Sequence, residues 1–242
     1  MEKLQYKVMS DVEDNHFWYK GMRFISRLIL AKYLLNKNNN ILDAGCGTGG
    51  NFNFLSQFGK VVGIDISEYA INLAKQKGIL NIKKGSIDNI PYPDNSFDLI
   101  TGFDVIGHKQ VNEKKAIDEF YRVLKPGGLL MIRVAAYEWL YSNHDLKVQN
   151  SRRYTKKSLI NVLKRKNFQV IKKTYANTFL FPFIVLKRLM SNLFNLKKTE
   201  SDVKTYNSLI SQLLFIPFFI EGIIINLVSL PFGTSIIVVA KK

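Results

Sequence analysis

Short apolar runs and helix-length amphipathic stretches alternate along most of this chain. Residues 22–35, MRFISRLILAKYLL, place Phe24, Leu28 and Ala31 at helical spacing, with Ile25 and Leu35 beside them. The polar NKNNN breaks that helix, and ILDAG follows as a short buried strand. A glycine turn then leads into a helix expected to run to about Phe58. KVVGIDIS reads as a second strand, and Ser67 can cap the helix SEYAINLAKQKG, which stops at Gly78. NIKKGS and FDLITGF are the third and fourth strands. A helix from about Glu113 to Leu124 ends at the turn signal KPGG, and LLMIRVAA is the fifth strand. Strands alternating with helices of this length imply a mostly parallel sheet covered on both faces.

Beyond the fifth strand the rhythm changes. TKKSLINVLKRKNF predicts a basic amphipathic helix, FQVIKKT a strand, and SIIVVAKK a closing strand. Between these two strands lies an apolar insertion, residues 176–233, with three prolines. Its run LLFIPFFIEGIIINLVSL is 18 residues long, near the lower limit for a membrane span, and Pro217, Glu221 and Asn226 interrupt it. A central acid costs about 3 kcal/mol on insertion scales. A single crossing would also keep the next strand from rejoining the same sheet. The expectation is therefore no span, but either a helix pair packed as a lid or dimer element, or an apolar surface that docks on a bilayer. Lys187, Arg188, Lys197 and Lys198 beside apolar helices suit an anionic interface. Residues 1–175 and 234–242 would form the core domain.

Composition and charge narrow the class. With 242 residues, 47% of them hydrophobic, the chain can bury a sizeable core. Cys46 is the only cysteine, which excludes an intramolecular disulfide and a cysteine-based zinc site and fits a reducing compartment. The first twenty residues contain acids and no apolar h-region, so they do not read as a signal peptide. The formal charge is +16, and Tyr141 to Tyr175 holds ten Lys/Arg against the single acid Asp145. That excess favours an anionic partner: a phosphorylated substrate, an acidic membrane surface or a nucleic acid. Solvated helix faces explain the same charge equally well.

The chemistry turns on ILDAGCGTGG, residues 41–50. Gly45-x-Gly47-x-x-Gly50 satisfies the dinucleotide fingerprint. Asp43 at the strand tip argues against that ligand, because its carboxylate would repel a pyrophosphate in a partly buried site. A cationic guest reverses the sign, and S-adenosylmethionine carries both an ammonium and a sulfonium. Asp65 lies 20 residues after Gly45, at the end of the second strand, where it can bind a ribose diol. Both ligands present a ribose, so Asp65 alone does not discriminate.

ILDAGCGTGG, VVGIDIS, IPYPDNSFDLITGFDVIGH and EFYRVLKPGGLLMI together resemble the successive motifs of class I S-adenosylmethionine-dependent methyltransferases, over residues 41–134. The resemblance implies a Rossmann-like α/β fold: a seven-stranded, mostly parallel sheet with an antiparallel last strand. The flanks are similar to a narrower ubiquinone-type or generic small-molecule group, through HFWY at His16–Tyr19 with Arg23, His144-Asp145, Arg152 to Thr155, and LPFG at Leu230 to Gly233 with Ser235. The resemblance places Asp43, Gly45, Gly47 and Gly49 around the methionine end of the cofactor, and Asp65 and Ile66 at ribose and adenine. Ser86 stands where the family often has an acid contacting the adenine amine. A hydroxyl accepts that bond more weakly, so Ile87 packing and Asp88 become alternatives.

Methyl transfer from a sulfonium needs alignment more than acid–base chemistry, with a base required when the acceptor is a hydroxyl. The three histidines, His16, His108 and His144, are the candidates; His108 follows the fourth strand and His144 the fifth. Asp145 could orient or charge His144. Arg152, Arg153 and Tyr154 form a candidate substrate-binding set for a phosphate or carboxylate. Phe17, Trp18 and Tyr19 either cover a pocket or pack in the core. No N/D-P-P-Y follows the fourth strand, and no cluster of acids and histidines suggests a metal. The reading is O- or C-methylation of a small or lipid-linked acceptor by a cytoplasmic protein, peripheral at the inner face of the membrane or homo-oligomeric. An RNA methyltransferase and a non-enzymatic membrane-associated assembly factor are the alternatives.

Overall fold

The computed structural model describes residues 1–193 and 207–242. Its strands are β1 (Asn39–Ala44), β2 (Gly59–Asp65), β3 (Ile82–Lys84), β4 (Phe97–Phe103), β5 (Leu124–Ala135), β6 (Gln169–Ala176) and β7 (Ser235–Lys241). They form one seven-stranded sheet in the order β3-β2-β1-β4-β5-β7-β6. β1 to β5 pair in parallel, and β7 runs antiparallel to both β5 and β6. The Rossmann-like arrangement implied by the sequence motifs is thus present, with the last strand inserted between its two predecessors.

Strand alternation divides the core. Leu42, Ile64, Ile100, Ile132 and Val238 face one side, where Ile117 and Phe120 of α5 (Glu113–Val123) and Leu159 and Leu163 of α7 (Lys156–Lys164) cover them. Ile41, Leu99, Met131 and Ile237, one residue out of step, face the other side and meet Met22, Ile25 and Ile29 of α2 (Phe17–Tyr33). Burial on both faces explains why these strands read as continuous apolar runs. Polar residues set the helix starts. The Ser67 hydroxyl accepts from the Ala70 N–H at 3.3 Å to open α4 (Glu68–Gln76), and Asn112 accepts from the Lys115 N–H at 3.2 Å to open α5. Thr155 and Ser158 exchange hydrogen bonds to open α7. Gly78, with φ +83°, ends α4.

Two elements depart from the sequence expectation. The helix after the glycine turn, α3 (Phe52–Leu55), is a single turn and stops short of Phe58. Residues Lys3–Val12 form a helix, α1, that the apolar pattern did not reveal; its partly polar sequence buries Tyr6 against Ala70 and Leu73 of α4. A short helix, α6 (Asn143–Lys147), follows β5.

The insertion contributes α8 (Phe181–Leu193) and α9 (Ser208–Leu227); Lys197 and Lys198 lie outside the described residues. α9 runs alongside α2 in the same direction. The Ser211 hydroxyl donates to the Asn15 carbonyl at 2.9 Å, and the Phe218 ring fills the space that a Cβ at Gly21 would need. Gly222 sits against Phe24 and Leu28, and Lys32 reaches the Asn226 carbonyl at 3.4 Å. β6 and β7, on either side of the insertion, neighbour each other in one sheet, so α9 lies along the domain. Glu221, the acid that argued against a span, is 1% exposed and points inward. Its carboxylate accepts the backbone N–H groups of Asn177 (2.5 Å), Thr178 (2.8 Å) and Phe179 (3.4 Å), which tie α9 to the end of β6. Burial raises its pKa against those three bonds. Glu221→Gln would turn an amide donor towards backbone donors. We expect it to lower stability by about 2 kcal/mol, read as a lower urea midpoint at unchanged slope.

Candidate active site

The C-terminal ends of β1, β2, β4 and β5 converge, and the sheet register sets what meets there. Asp43 stands opposite Gly63 and Thr101. It is 1% exposed; its carboxylate accepts from the Thr101 hydroxyl at 2.7 Å and from the Asn51 amide at 3.4 Å. Burial pushes its pKa up to about 6, opposed by the Thr101 and Asn51 bonds and by the charge of Arg133. Arg133 is committed to Asp104 (2.6 Å), and among the described residues no ion pair neutralises Asp43. The loop beyond it turns tightly enough for the Gly45 and Cys46 N–H groups both to donate to the Ile64 carbonyl. Gly45, Gly47 and Gly49 have φ of +75°, +55° and +84°, and a Cβ at Gly45 would collide with Val105.

Asp65 is 6% exposed and holds this loop from the β2 side. It accepts from the Gly47 N–H and the Ser67 N–H, each at 2.8 Å, and from the Tyr6 hydroxyl at 3.5 Å. Ile66 beside it is 54% exposed, an apolar side chain open to a flat base. Ser86 accepts the Asp88 N–H at 3.2 Å, while Ile87 is 4% exposed and belongs to the core beside Ile64 and Ile90. Ile87 therefore supports this wall from within. The Asp88 carboxylate accepts the Asn112 N–H at 2.9 Å and so turns towards the start of α5. Unforeseen from sequence, α1 and the turn after it close over the loop. The Met9 methyl lies against Gly47, and Glu13 accepts from the Thr48 hydroxyl (2.6 Å) and Lys77 (2.7 Å). Two buried carboxylates beside a bare backbone turn fit a cationic nucleoside derivative and disfavour a pyrophosphate.

A second group of residues lies beside Asp43. Arg133, 5% exposed, pairs with Asp104 and places its guanidinium over Trp18 (5.2 Å) and Phe103 (4.8 Å). Tyr19 lies near the charges of Glu13, Asp104 and Arg133, and burial raises its pKa. The sequence signal for this group, missed by motif reasoning, is an arginine inside the otherwise apolar LLMIRVAA. Trp18 thus packs against Arg133, whereas Phe17 packs on Phe218 (6.2 Å). His108 follows β4 on the same edge. Burial lowers its pKa, against the opposing influence of Asp104 and Asp65, and leaves it neutral and proton-accepting at pH 7. His16 caps α2, its Nδ1 accepting from the Trp18 N–H at 3.2 Å. Among the described residues, no group of three or more His, Cys, Asp or Glu is arranged to hold a metal.

The expectations after β5 need correction. His144 and Asp145 both lie in α6. Both Asp145 oxygens are taken by Arg153 (2.9 and 2.8 Å), Asn150 (3.0 Å) and Ser142 (2.8 Å from its N–H). Arg153 Nη1 donates to the Ala136 carbonyl, and the side chain is only 5% exposed, so the pair holds the segment after β5 in place. Tyr154 is 4% exposed, and its hydroxyl donates to Glu113 at 2.6 Å. Only Arg152 of the three stays at the surface, in an open cleft with Lys109, Glu113 and Lys114. Burial opposes ionisation of Asp145, but the Arg153 bonds outweigh it and hold the pKa below the ordinary value. The pair stabilises the fold above that ordinary value, and its contribution fades as pH falls through the lowered one. Arg153→Met should destabilise by about 3–5 kcal/mol, because Asp145 is left buried and unpaired. Arg152→Met should stay within about 0.5 kcal/mol; thermal melts of both variants check the contrast.

Residues 42–132 match the family described as a methyltransferase domain. Over 118 residues the chain is 37% identical to a sterol 24-C-methyltransferase of Pneumocystis carinii, covering 45% of this chain and 30% of that protein. It is 31% identical over 140 residues to the ubiquinone/menaquinone biosynthesis C-methyltransferase of Pseudoalteromonas translucida, covering 53% of each. An uncharacterized protein of Methanocaldococcus jannaschii is 29% identical over 72% of this chain and 70% of its own length. The chain spans about a third of the length of the sterol methyltransferases it matches. In fold it resembles an S-adenosylmethionine-dependent methyltransferase of Thermotoga maritima, with TM-score 0.57, 19% identity and 98% and 99% of the two chains covered. It also resembles the [4+2]-cyclase SpnF, with TM-score 0.56, 18% identity and 90% and 80% covered. Residues 42–132 thus carry a match to a methyltransferase domain, set in a fold that the chain shares with an S-adenosylmethionine-dependent methyltransferase.

Proposed function

We propose that the protein transfers a methyl group from S-adenosylmethionine to carbon or oxygen of a small, amphiphilic and anionic acceptor. The observation that carries this reading is Asp43, a fully buried carboxylate beside the glycine turn, with no cation paired to it among the described residues. When bound, S-adenosylmethionine supplies an electrophilic methyl group on a cationic sulfur.

Each residue on the C-terminal edge has a part. Asp43 offsets the positive charge of the guest, Asp65 and Ile66 take the ribose and base, and the glycine turn lets the backbone approach. His108, neutral at physiological pH, is the proton acceptor for a hydroxyl or an activated carbon acid. Trp18, Phe103 and Tyr19 give the acceptor apolar walls, with Arg133 at their centre. The exposed cleft with Lys109, Lys114 and Arg152 suits the acceptor's anionic part. Sterol and quinone methyltransferases among the relatives are in keeping with an acceptor that is partly lipid.

Ionising Asp43 with its pKa near 6 instead of 3.8 costs the unliganded protein about 3 kcal/mol. That penalty sets in as pH rises from about 4 to 6 and is complete above it. Asp43→Asn should therefore weaken S-adenosylmethionine binding by about 10- to 100-fold without lowering the unliganded melting temperature at pH 7.5. Calorimetry and thermal melts test both halves; undiminished affinity would refute the role of Asp43. In the parent protein the affinity should fall as pH drops below about 6 and level off once the loss matches that of Asp43→Asn. Incubation with methyl-labelled cofactor and cell extract, followed by separation of lipid, RNA, protein and small-molecule fractions, tests the acceptor class. Label in RNA alone would overturn it.

A further inference from the structure

α9 is apolar around its whole circumference, yet among the described residues only one side of it is covered. Ser211, Phe218, Glu221, Gly222 and Ile225 face α2 and the β6 end. On the opposite side Leu209, Leu213, Ile216, Ile220, Ile223 and Leu227 form a continuous stripe at spacings of three and four, and each is at least 46% exposed. The stretch Leu209–Leu227 has a mean hydropathy of 1.9 and is only 22% buried. A helix apolar all round is normally enclosed by protein or by lipid. Here the protein encloses one half.

The border of this stripe is basic. From α2, Lys32 reaches the Asn226 carbonyl of α9 at 3.4 Å. Arg27 lies over the Phe24 ring at 5.6 Å, and that ring stacks on Phe219. Lys172 donates to the carbonyls of Ile225 (2.6 Å) and Val228 (3.2 Å) at the far end of α9. α8 adds a further exposed apolar surface at Phe183, Leu186 and Met190 beside Lys187. Glu221, the only acid in α9, is turned inward and satisfied.

We infer that the outer side of α9 docks in the plane of an anionic lipid bilayer, with its apolar stripe in the acyl boundary and the surrounding cations at the headgroups. Charge selects this occupant. A two-fold dimer through the same stripe would bring two cationic borders together, which like-charge repulsion opposes. Lipid phosphates oppose neither the border nor the stripe. A crossing is excluded by the attachment of α9 along α2 and by the shared sheet of β6 and β7.

The direction of α9 adds a consequence for the proposed acceptor, and this part rests on that reading. The start of α9 lies at Asn15, beside His16 and Trp18, and Trp18 packs under the Arg133 guanidinium. A docked protein thus presents its acceptor side to the headgroup layer, so that a lipid-linked acceptor enters without leaving the bilayer.

Flotation with phosphatidylcholine vesicles, with and without about one-third phosphatidylglycerol, tests the docking. The full chain should float with the anionic vesicles, weakly with the neutral ones, and less as salt rises. Leu213→Glu and Ile220→Glu, both at exposed positions, should reduce anionic-vesicle binding about tenfold or more while leaving S-adenosylmethionine binding and the melting temperature unchanged. Failure to float with either vesicle would overturn the inference. So would a concentration-dependent dimer in sedimentation that the same substitutions abolish. Cofactor binding, read in parallel, separates failure of the docking from failure of the enzymatic reading.

Discussion

A negative charge without a paired cation, buried at the tip of the first strand, organises the functional end of this fold. Asp43 cannot relax into solvent, because it is buried at the strand tip behind the glycine turn, and no cation among the described residues neutralises it. Hydrogen bonds from Thr101 and Asn51 orient it without removing the cost of its charge. Thr101 reaches it only because β1 and β4 pair in this register. The strain is electrostatic, and a cationic guest relieves it. That is a preorganised site in the physical sense: the protein bears the unfavourable term before the ligand arrives.

Two ion pairs stiffen the segments after the central strands: Arg153 with Asp145 is buried, and Arg133 with Asp104 is open on the Asp104 side. Arg133 with Asp104 ties β5 to the turn after β4, and Arg153 with Asp145 ties the segment after β5 to the start of α7. Desolvating such pairs is expensive, and their value lies in fixing geometry more than in net stability. The arginines accordingly differ in what they do. Arg133 packs between Trp18 and Phe103, Arg153 holds a loop, and Arg152 remains at the surface. The fold itself leaves the acceptor open, since a methyltransferase and a cyclase share it at similar TM-scores.

Much of this was legible in the residues. The parallel strands announced themselves because both faces of the sheet are covered, which makes ILDAG, VVGIDI and FDLITGF apolar apart from Asp43, Asp65, Asp98 and Thr101. Ser67 and Gly78 marked helix boundaries through side-chain and backbone chemistry that is local. The glycine turn and Asp43 were readable for the same reason. α1 was not, because it is held by Tyr6, Met9 and Glu13 reaching other segments and has little apolar pattern of its own. The fate of Arg153 and Tyr154 was hidden too: their partners Asp145 and Glu113 lie 8 and 41 positions away, at distances that no local pattern encodes. Arg133 was visible as an exception within an apolar strand, but its meaning required Asp104 and Trp18 in space.

The insertion of β7 between β5 and β6 governs the order in which this chain can fold during synthesis. β5 and β6 emerge from the ribosome long before the strand that joins them, and each keeps a bare edge until the last segment is made. The oily α9 emerges in that interval, with the sheet beneath it still incomplete. Such a nascent chain is prone to aggregate, and a lipid surface or a chaperone holding α9 would shield it until β7 closes the gap.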